Sequence, residues 1–283
     1  MDKHKRAHVL ALYHLKGGVG KTASAVNLAY LAAASGRKTL ICDLDPQSSS
    51  TYYFRVRPKL KAAKKVFLKG GNAIARNLKG TDYEGLDLLP ADWSHRHLAV
   101  SLGKVRASKK RLKAILEPLR EEYEVIILDC PATMTLVAEN IFNAADLLLI
   151  PVVPSTLAAR AYANVRVFFQ RKHYDERKIH AFFSMVEKRK RLHQATMRVM
   201  RAQCVGLLQS QIPYTADIEG MGLARAPVPV CAPRSTATKC YRELWAEIVT
   251  LMGCRSDAVP AISPGATSSV APPAKETFHK ADD

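Results

Sequence analysis

The stretch at residues 8–35, HVLALYHLKGGVGKTASAVNLAYLAAAS, constrains the fold more than any other part of the chain. Its first eight residues form an apolar run typical of a short buried strand, and residues 22–35 have the Ala- and Leu-rich composition of a helix that Gly36 ends. A glycine-rich turn joins the two. Because such a turn directs backbone N–H groups inward at a helix N-terminus, the stretch predicts an anion site.

The turn almost fits the phosphate-loop pattern G-x-x-x-x-G-K-[ST]. Gly20, Lys21 and Thr22 are in place, but Leu15 stands where the first glycine belongs, and Lys16 follows it. In a phosphate loop, Lys21 would bridge the β- and γ-phosphates and Thr22 would bind Mg²⁺. The residues expected to line the nucleotide are Gly17, Gly18, Val19, Gly20, Lys21, Thr22 and Ala23.

Further apolar runs alternate with helical patterns along the chain. Strands are predicted at 38–45, 86–91, 123–129, 146–153, 179–186 and 207–213. Helices are predicted at 105–122, where Pro118 would bend or end the helix, and at 156–173, 189–204 and 236–252. Continuous apolar strands separated by helices predict an α/β fold with a mostly parallel twisted sheet and helices on both faces, as in P-loop NTPases. We expect one domain over residues 1–253 and a disordered tail rich in Pro, Ala and Ser over 254–283.

Three carboxylates follow the predicted strands. Asp43 and Asp45 stand at the end of the second strand, and Asp129 ends a later one. Ligands of open parallel sheets bind beyond the carboxyl ends of the strands, so all three are expected near the phosphate loop. Asp129, which follows four apolar residues, is the expected second-sphere ligand of Mg²⁺.

The charge of the chain indicates a polyanion partner. Lys and Arg number 43 against 25 Asp and Glu, a formal net charge of +18. The excess is clustered: nine basic residues and no acidic residue lie in 55–79, six more lie in 104–113, and KRKR occupies 188–191. Nucleic acid and an anionic membrane both fit such clusters.

Other classes of protein fit less well. The six cysteines include no C-x-x-C pair and no zinc-like spacing, which favours reduced structural thiols. The N-terminus lacks the length and the cleavage site of a signal peptide, and no apolar run is long enough to cross a membrane. We therefore expect a cytoplasmic protein that is not inserted in a membrane.

Four motifs together resemble the ParA family of partition ATPases, within the MinD/ParA group of deviant Walker A proteins. They are KGGVGKT (16–22), DLDPQ (43–47), ILDCP (127–131) and IPYTADIEGMGL (212–223), and the resemblance extends over about residues 8–252. In this family the first glycine of the loop is absent and the added lysine is a signature residue. The resemblance therefore implies ATP and Mg²⁺ as ligands, and an ATP-bound sandwich dimer in which Lys16 reaches the partner's phosphates.

The resemblance also implies roles for residues outside the loop. Asp45 would position the attacking water, and Asp43 and Asp129 would support Mg²⁺ and its water shell. Residues 131–135 would form a switch loop that senses the γ-phosphate, PSTLAARAY (154–162) would lie near the dimer face, and the stretch around Pro213 would pack on the adenine.

Three positions depart from the family pattern. Ala23 replaces a common second Thr or Ser after the loop threonine, Ser184 stands where Asn is frequent, and Ala132 replaces a second proline. The first two departures affect contacts with phosphate and adenine. None removes a residue on which ATP hydrolysis depends.

The resemblance implies non-specific DNA binding by the ATP-bound dimer, through basic residues on phosphates. Our first candidates are Lys188, Arg189, Lys190 and Arg191, expected to open a helix that also carries Arg198 and Arg201. The 55–79 run is the second candidate, or a loop that engages a partner. No helix-turn-helix precedes the first strand, so operator recognition is not expected.

The predicted cycle is that of a nucleoid-associated ATPase whose weak turnover is stimulated by a ParB-like or other cargo adaptor, and whose cargo is a plasmid, a chromosome or a protein body. Three alternatives remain at the level of sequence. They are a regulator that binds ATP and DNA with little turnover, a MinD-like division-site ATPase, and an iron–sulfur carrier. The Pro-rich tail does not resemble the amphipathic helix that a MinD-like protein needs, and an iron–sulfur carrier needs paired cysteines that the chain lacks.

Overall fold

A computed structural model of the protein describes residues 6–57, 74, 76–91, 98–103 and 108–253. Eight β-strands lie in this part of the chain. They are β1 (His8–Leu12), β2 (Thr39–Asp43), β3 (Lys79–Gly80), β4 (Leu86–Leu89), β5 (Val125–Asp129), β6 (Leu147–Val152), β7 (Ile179–Val186) and β8 (Leu207–Pro213).

Helices connect most of these strands. The α-helices are α1 (Lys21–Ala34), α2 (Ser49–Tyr53), α3 (Leu98–Gly103), α4 (Arg111–Leu116), α5 (Leu119–Glu122), α6 (Leu136–Ala144), α7 (Thr156–Arg171), α8 (Arg191–Gln203), α9 (Ala216–Ala224), α10 (Val228–Cys231) and α11 (Thr236–Leu251). Two short 3₁₀ helices span Ser108–Lys110 and Glu176–Lys178.

The strands form one sheet with the order β3-β4-β2-β5-β1-β6-β7-β8. Every pairing is parallel except that of β3 with β4, which is antiparallel. Parallel strands place all their carboxyl ends at one edge of the sheet, and β1 lies near its middle. The predicted α/β fold with a mostly parallel sheet is confirmed, and the two-residue strand β3 was not predicted.

Apolar side chains cover both faces of the sheet, which explains why its strands read as continuous apolar runs. One face carries α1 and α11, where Leu28, Tyr241 and Trp245 are fully buried. The other carries α6 and α7, where Phe142 and Phe169 pack on the sheet. The central strands are therefore held from both sides, and the loops at their carboxyl ends rest on a rigid base.

The structure refines two predicted helices. The 105–122 pattern is divided: α4 ends at Leu116 and α5 begins at Leu119, so Pro118 does interrupt the helix as expected. Only the last residue of the KRKR segment lies in a helix, because α8 begins at Arg191. Lys188 and Arg189 form the turn before it, and Lys190 is its N-cap residue.

Some predictions fall on residues that the structure does not describe. The tail at 254–283, most of the basic run at 55–79 and residues 104–107 are among them. Within the described ranges, none of the helices combines the length and the apolar character needed to cross a bilayer.

Candidate functional site

The glycine-rich turn joins β1 to α1 at the carboxyl edge of the sheet, as the sequence predicts. Gly18 and Gly20 adopt positive φ angles of 68° and 87°, and Gly20 is the N-cap residue of α1. No side chain caps this helix. The N–H groups of its first turn therefore stay available for an anion, and the helix dipole favours negative charge at the same point.

The two lysines of the turn have opposite environments. Lys21 is buried at 8% exposure, and its Nζ lies 3.5 Å from the carbonyl oxygen of Lys16. Lys16 itself is exposed, and its side chain has no hydrogen bond or ion pair within the part of the chain that the structure describes. One positive charge thus faces into the loop, whereas the other is free to reach out of the subunit.

The other predicted loop residues differ in how far they are exposed to solvent. Gly17 and Gly18 are exposed, Gly20, Thr22 and Ala23 are half-buried, and Val19 is buried. The exposed side of the turn therefore consists of main chain and Lys16. This surface suits a ligand that is recognised through backbone N–H groups.

Asp43 and Asp129 lie side by side, because β2 and β5 pair in a register that places them opposite each other. The carboxylate of Asp43 is fully buried, and the chain itself supplies donors to both of its oxygens. Oδ2 accepts hydrogen bonds from the N–H and the hydroxyl of Thr51 at 2.9 and 2.8 Å, and Oδ1 accepts one from the N–H of Asp45 at 3.2 Å. These bonds tie Asp43 to the loop after β2 and to α2, and its role at the Mg²⁺ site stays a prediction.

Asp129 differs from Asp43 in having an oxygen without a partner. Its Oδ2 accepts a hydrogen bond from the Ser50 hydroxyl at 2.5 Å, but its buried Oδ1 has no hydrogen-bond partner within the described residues. Burial raises the pKa of both aspartates, and the charge of Asp129 raises the pKa of Asp43 further. The hydroxyls of Ser50 and Thr22 oppose the pKa shift at Asp129.

These observations fit a magnesium site. The unpartnered Oδ1 of Asp129 is a hard oxygen ligand, and the Thr22 side chain lies close enough to lower the pKa of that carboxyl. A bound cation would satisfy the orphaned oxygen and would relieve the repulsion between the two buried carboxylates.

Asp45 lies beyond the end of β2 and is half-buried. Its Oδ1 accepts a hydrogen bond from the N–H of Gln47 at 3.0 Å, and its carbonyl accepts one from the N–H of Ser48 at 2.9 Å. The turn fixes the side chain at the sheet edge that also carries Thr22 and Asp129.

Two other predicted contacts lie further along the edge. Pro213 ends β8, three strands from β1, which is a separation of about 14 Å. Ser184 on β7 is buried directly behind the phosphate loop, since a Cβ added to Gly20 would lie 2.8 Å from the Ser184 Oγ. Serine in place of asparagine at position 184 therefore affects packing against the phosphate loop as well as the contact with adenine.

The predicted switch loop at 131–135 is anchored to the end of β1. The hydroxyl of Tyr13 donates a hydrogen bond to the carbonyl of Thr133 at 2.7 Å, and its ring packs edge-on against Phe142 with centroids 4.9 Å apart. Tyr13 is fully buried. The phosphate loop and the switch loop therefore start from one shared support.

Sequence reasoning did not single out Tyr13, His14, Ser50 or Thr51. All four lie within a few residues of a predicted motif, and the run SSST at 48–51 directly follows DLDPQ. A search for hydroxyl donors beside the predicted buried aspartates would have found Ser50 and Thr51. No pattern indicated the bonds made by Tyr13 and His14, since these depend on tertiary contacts.

The basic segment 188–191, which forms the turn before α8 and the first residue of that helix, lies at the surface. Lys188, Arg189, Lys190 and Arg191 are all exposed. Lys190 forms an ion pair with Glu187, whereas no ion pair is found for the other three within the described part of the chain. The structure places this turn after β7, at the same edge of the sheet as the phosphate loop.

The chain is similar in sequence to several known proteins. Residues 7–178 match the AAA_31 family model, described as an AAA domain. The chain is 32% identical over 146 residues to the chromosome partitioning protein ParA of Caulobacter vibrioides, covering 50% of this chain and 55% of that protein. It is 27% identical over 249 residues to a ParA family protein of Chlamydia muridarum, covering 86% and 98%.

Among solved structures, a plasmid partition protein of Borrelia burgdorferi bound to AMPPNP is similar in fold, with a TM-score of 0.72 and 21% identity over 87% of this chain and all of the other. The chain spans little more than half the length of several curated relatives, for example 56% of an uncharacterised Pseudomonas putida protein. The family model covers more than half of this chain. The chain therefore belongs to the AAA_31 family, described as an AAA domain, and the proteins it is similar to include ParA family proteins.

Proposed function

We propose that the protein is an ATP-dependent partition or positioning ATPase. ATP builds a sandwich dimer, the dimer binds nucleoid DNA without sequence preference, and hydrolysis stimulated by a partner releases it. The observation that carries the proposal is the difference in environment between the two lysines of the loop. Lys21 is buried and turned into the loop, while Lys16 is exposed at its surface and forms no ion pair among the residues that the structure describes.

In this proposal the nucleotide phosphates lie on the backbone of Gly17–Thr22 at the uncapped N-terminus of α1. Lys21 neutralises the terminal phosphates from within, and Pro213 packs against the adenine. Thr22 and the free oxygen of Asp129 would hold Mg²⁺, while Asp43 keeps the neighbouring loop in place. When bound, the cation would neutralise phosphate charge.

Lys16 acts across the dimer. A cation that arrives from a second subunit stabilises developing phosphate charge only when two loaded subunits meet, so dimerisation and ATP binding become one event. Asp45 would orient the attacking water from the turn that follows β2. The switch loop at 131–135 would report the γ-phosphate to α6, which begins at Leu136.

The exposed turn with Lys188, Arg189, Lys190 and Arg191 is the proposed DNA contact. Lys188, Arg189 and Arg191 form no ion pair with any described residue, so no such bond has to be broken there before they meet a phosphate. Non-specific binding of this kind weakens steeply as salt rises. The proposed partner is a ParB-like or other cargo adaptor, and the cargo is DNA or a protein body.

The experiment measures three quantities on one preparation: mass by light scattering, DNA affinity by fluorescence anisotropy, and ATP turnover. We expect a dimer that binds DNA only with MgATP, and turnover that rises when DNA and the adaptor are added. Asp45→Ala should bind ATP and DNA but fail to release. A monomer at saturating MgATP, or equal DNA affinity without nucleotide, would contradict the proposal. A stable ATP-bound dimer on DNA with no turnover would favour the regulator instead.

A further inference from the structure

The residue two positions before Lys16 has an unexplained environment. His14 ends the β1 side of the loop, and its ring is fully buried. Its Nδ1 accepts a hydrogen bond from the backbone N–H of Lys16 at 2.9 Å. The opposite nitrogen, Nε2, is buried and has no hydrogen bond of normal geometry within the described residues, although the Ala158 backbone lies close enough to the ring to raise its pKa. The bond that the geometry defines for this ring is therefore the one that its Nδ1 accepts from the Lys16 N–H.

The protonation state of the ring follows from these contacts. Because Nδ1 accepts a hydrogen bond, the proton of the neutral ring lies on Nε2. Burial, together with the charges of Lys21 and Lys16, lowers the pKa of His14 to about 4, although hydrogen bonding with the Ala158 and Lys16 backbone opposes the shift. The ring is therefore neutral near pH 7, and Nδ1 remains an acceptor.

The Lys16 backbone is consequently held on both sides. Its N–H donates to His14, and its carbonyl oxygen faces the ammonium of Lys21 at 3.5 Å. Its side chain, by contrast, makes no hydrogen bond or ion pair within the described ranges. Since a lysine side chain has four rotatable bonds, a fixed backbone limits the directions in which the charge can leave the surface.

We propose that His14 is a positioning residue for Lys16: its Nδ1 holds the Lys16 amide, and thereby sets the direction in which the Lys16 ammonium reaches a second subunit. This inference rests on the proposed function, in which Lys16 acts in trans. His14 touches neither nucleotide nor partner, and its effect passes entirely through the Lys16 main chain.

Two substitutions in the full chain test the acceptor. His14→Leu removes it and keeps an apolar side chain of similar bulk, whereas in His14→Asn the Oδ1 can accept the N–H two residues on, as in an Asx turn. For each variant we would measure amide hydrogen exchange at Lys16, MgATP affinity, and ATP-dependent dimerisation by light scattering.

We expect His14→Leu to weaken ATP-dependent dimerisation about tenfold, the size of one net hydrogen bond, with nucleotide affinity changed by less than about threefold. Exchange at the Lys16 amide should accelerate. His14→Asn should restore both towards the wild-type values. A role limited to stability would lower the melting temperature of both variants and leave dimerisation of the folded protein unchanged.

The inference is overturned if His14→Leu dimerises like the wild type, if its MgATP affinity falls as much as its dimerisation, or if His14→Asn behaves like His14→Leu. Should His14→Leu fail to fold, His14→Asn decides alone: normal dimerisation with a protected Lys16 amide supports the inference, and loss of either overturns it. A wild-type protein that stays monomeric with MgATP would refute the proposed function and the role of His14 with it. A wild-type dimer with unaffected variants refutes the role of His14 alone.

Discussion

Gly20→Ala is the substitution whose effect the structure defines most sharply. Gly20 has a φ of 87°, a conformation that costs an L-residue about 1–2 kcal/mol. The new Cβ would also lie 2.8 Å from the Ser184 Oγ, closer than van der Waals contact allows. Turning a buried serine from its rotamer or shifting the loop costs about 1–2 kcal/mol more. We therefore expect a loss of about 2–4 kcal/mol in the free energy of unfolding without nucleotide.

Two matched variants separate these terms. Gly18→Ala shares the positive φ, 68°, but its Cβ would meet nothing within 4 Å, so it should cost only about 1–2 kcal/mol. Adding Ser184→Ala to Gly20→Ala removes the offending oxygen and should recover about 1–2 kcal/mol. Urea unfolding at equilibrium measures all of these values. Equal losses for the two glycine variants, or no recovery in the double variant, would refute the view that Ser184 forms the wall behind the loop.

Three further predictions concern charge. Lys16→Ala should leave nucleotide affinity within about threefold and abolish the ATP-dependent dimer in light scattering, because the exposed Lys16 side chain makes no hydrogen bond or ion pair within the described part of its own subunit. Replacing Lys188 and Arg189 by alanine should lower the slope of log DNA affinity against log salt by about two in anisotropy titrations. The pKa of His14 is lowered from 6.5 in the unfolded chain to about 4 in the folded protein. Its contribution to the free energy of unfolding is therefore fully present above pH 6.5 and is lost as the pH falls. Between pH 7.5 and 5 the wild type should lose about 2 kcal/mol more than His14→Asn in urea unfolding.

Most of the sheet could be predicted from the sequence because its strands are buried on both faces. The run VIILD at 125–129 is apolar until its final aspartate, and the strand ends there. Such a run needs no tertiary information to be recognised. The two-residue strand β3 is too short to carry a period, and it forms only because Lys79 and Gly80 lie beside β4.

At the KRKR segment, residues 188–191, the helix start predicted from the sequence differs from the start in the structure. The basic residues continue smoothly into the helical pattern of 191–203, so sequence alone places them in the helix. The structure instead leaves Lys190 extended as the cap residue, and the turn before it is closed by a hydrogen bond from the N–H of Lys190 to the carbonyl of Glu187 at 3.0 Å. Local propensity does not register a turn that depends on where β7 ends.

The predicted site was easiest to infer where chemistry and position coincide. The pairing of Asp43 with Asp129 follows from two strand-end aspartates in a parallel sheet, and the register confirms that they are neighbours. Their different hydrogen bonding was not predictable. It depends on Ser50 and Thr51 in α2, which reach across from a helix that the sequence reading did not assign.

The missing first glycine of the loop has a physical explanation in this structure. Leu15 is half-buried and packs against the hydrophobic cluster on the α6 and α7 face of the sheet, while the next residue, Lys16, is exposed. A glycine at position 15 would lose that apolar contact and would add backbone freedom just before Lys16. Leu15 and His14 therefore both fix the chain before the glycine-rich turn. Leu15 anchors it to the core, and His14 holds the Lys16 amide. Without a glycine at position 15 the loop is less flexible, and the Lys16 side chain, whose charge must reach a second subunit, extends from a fixed backbone.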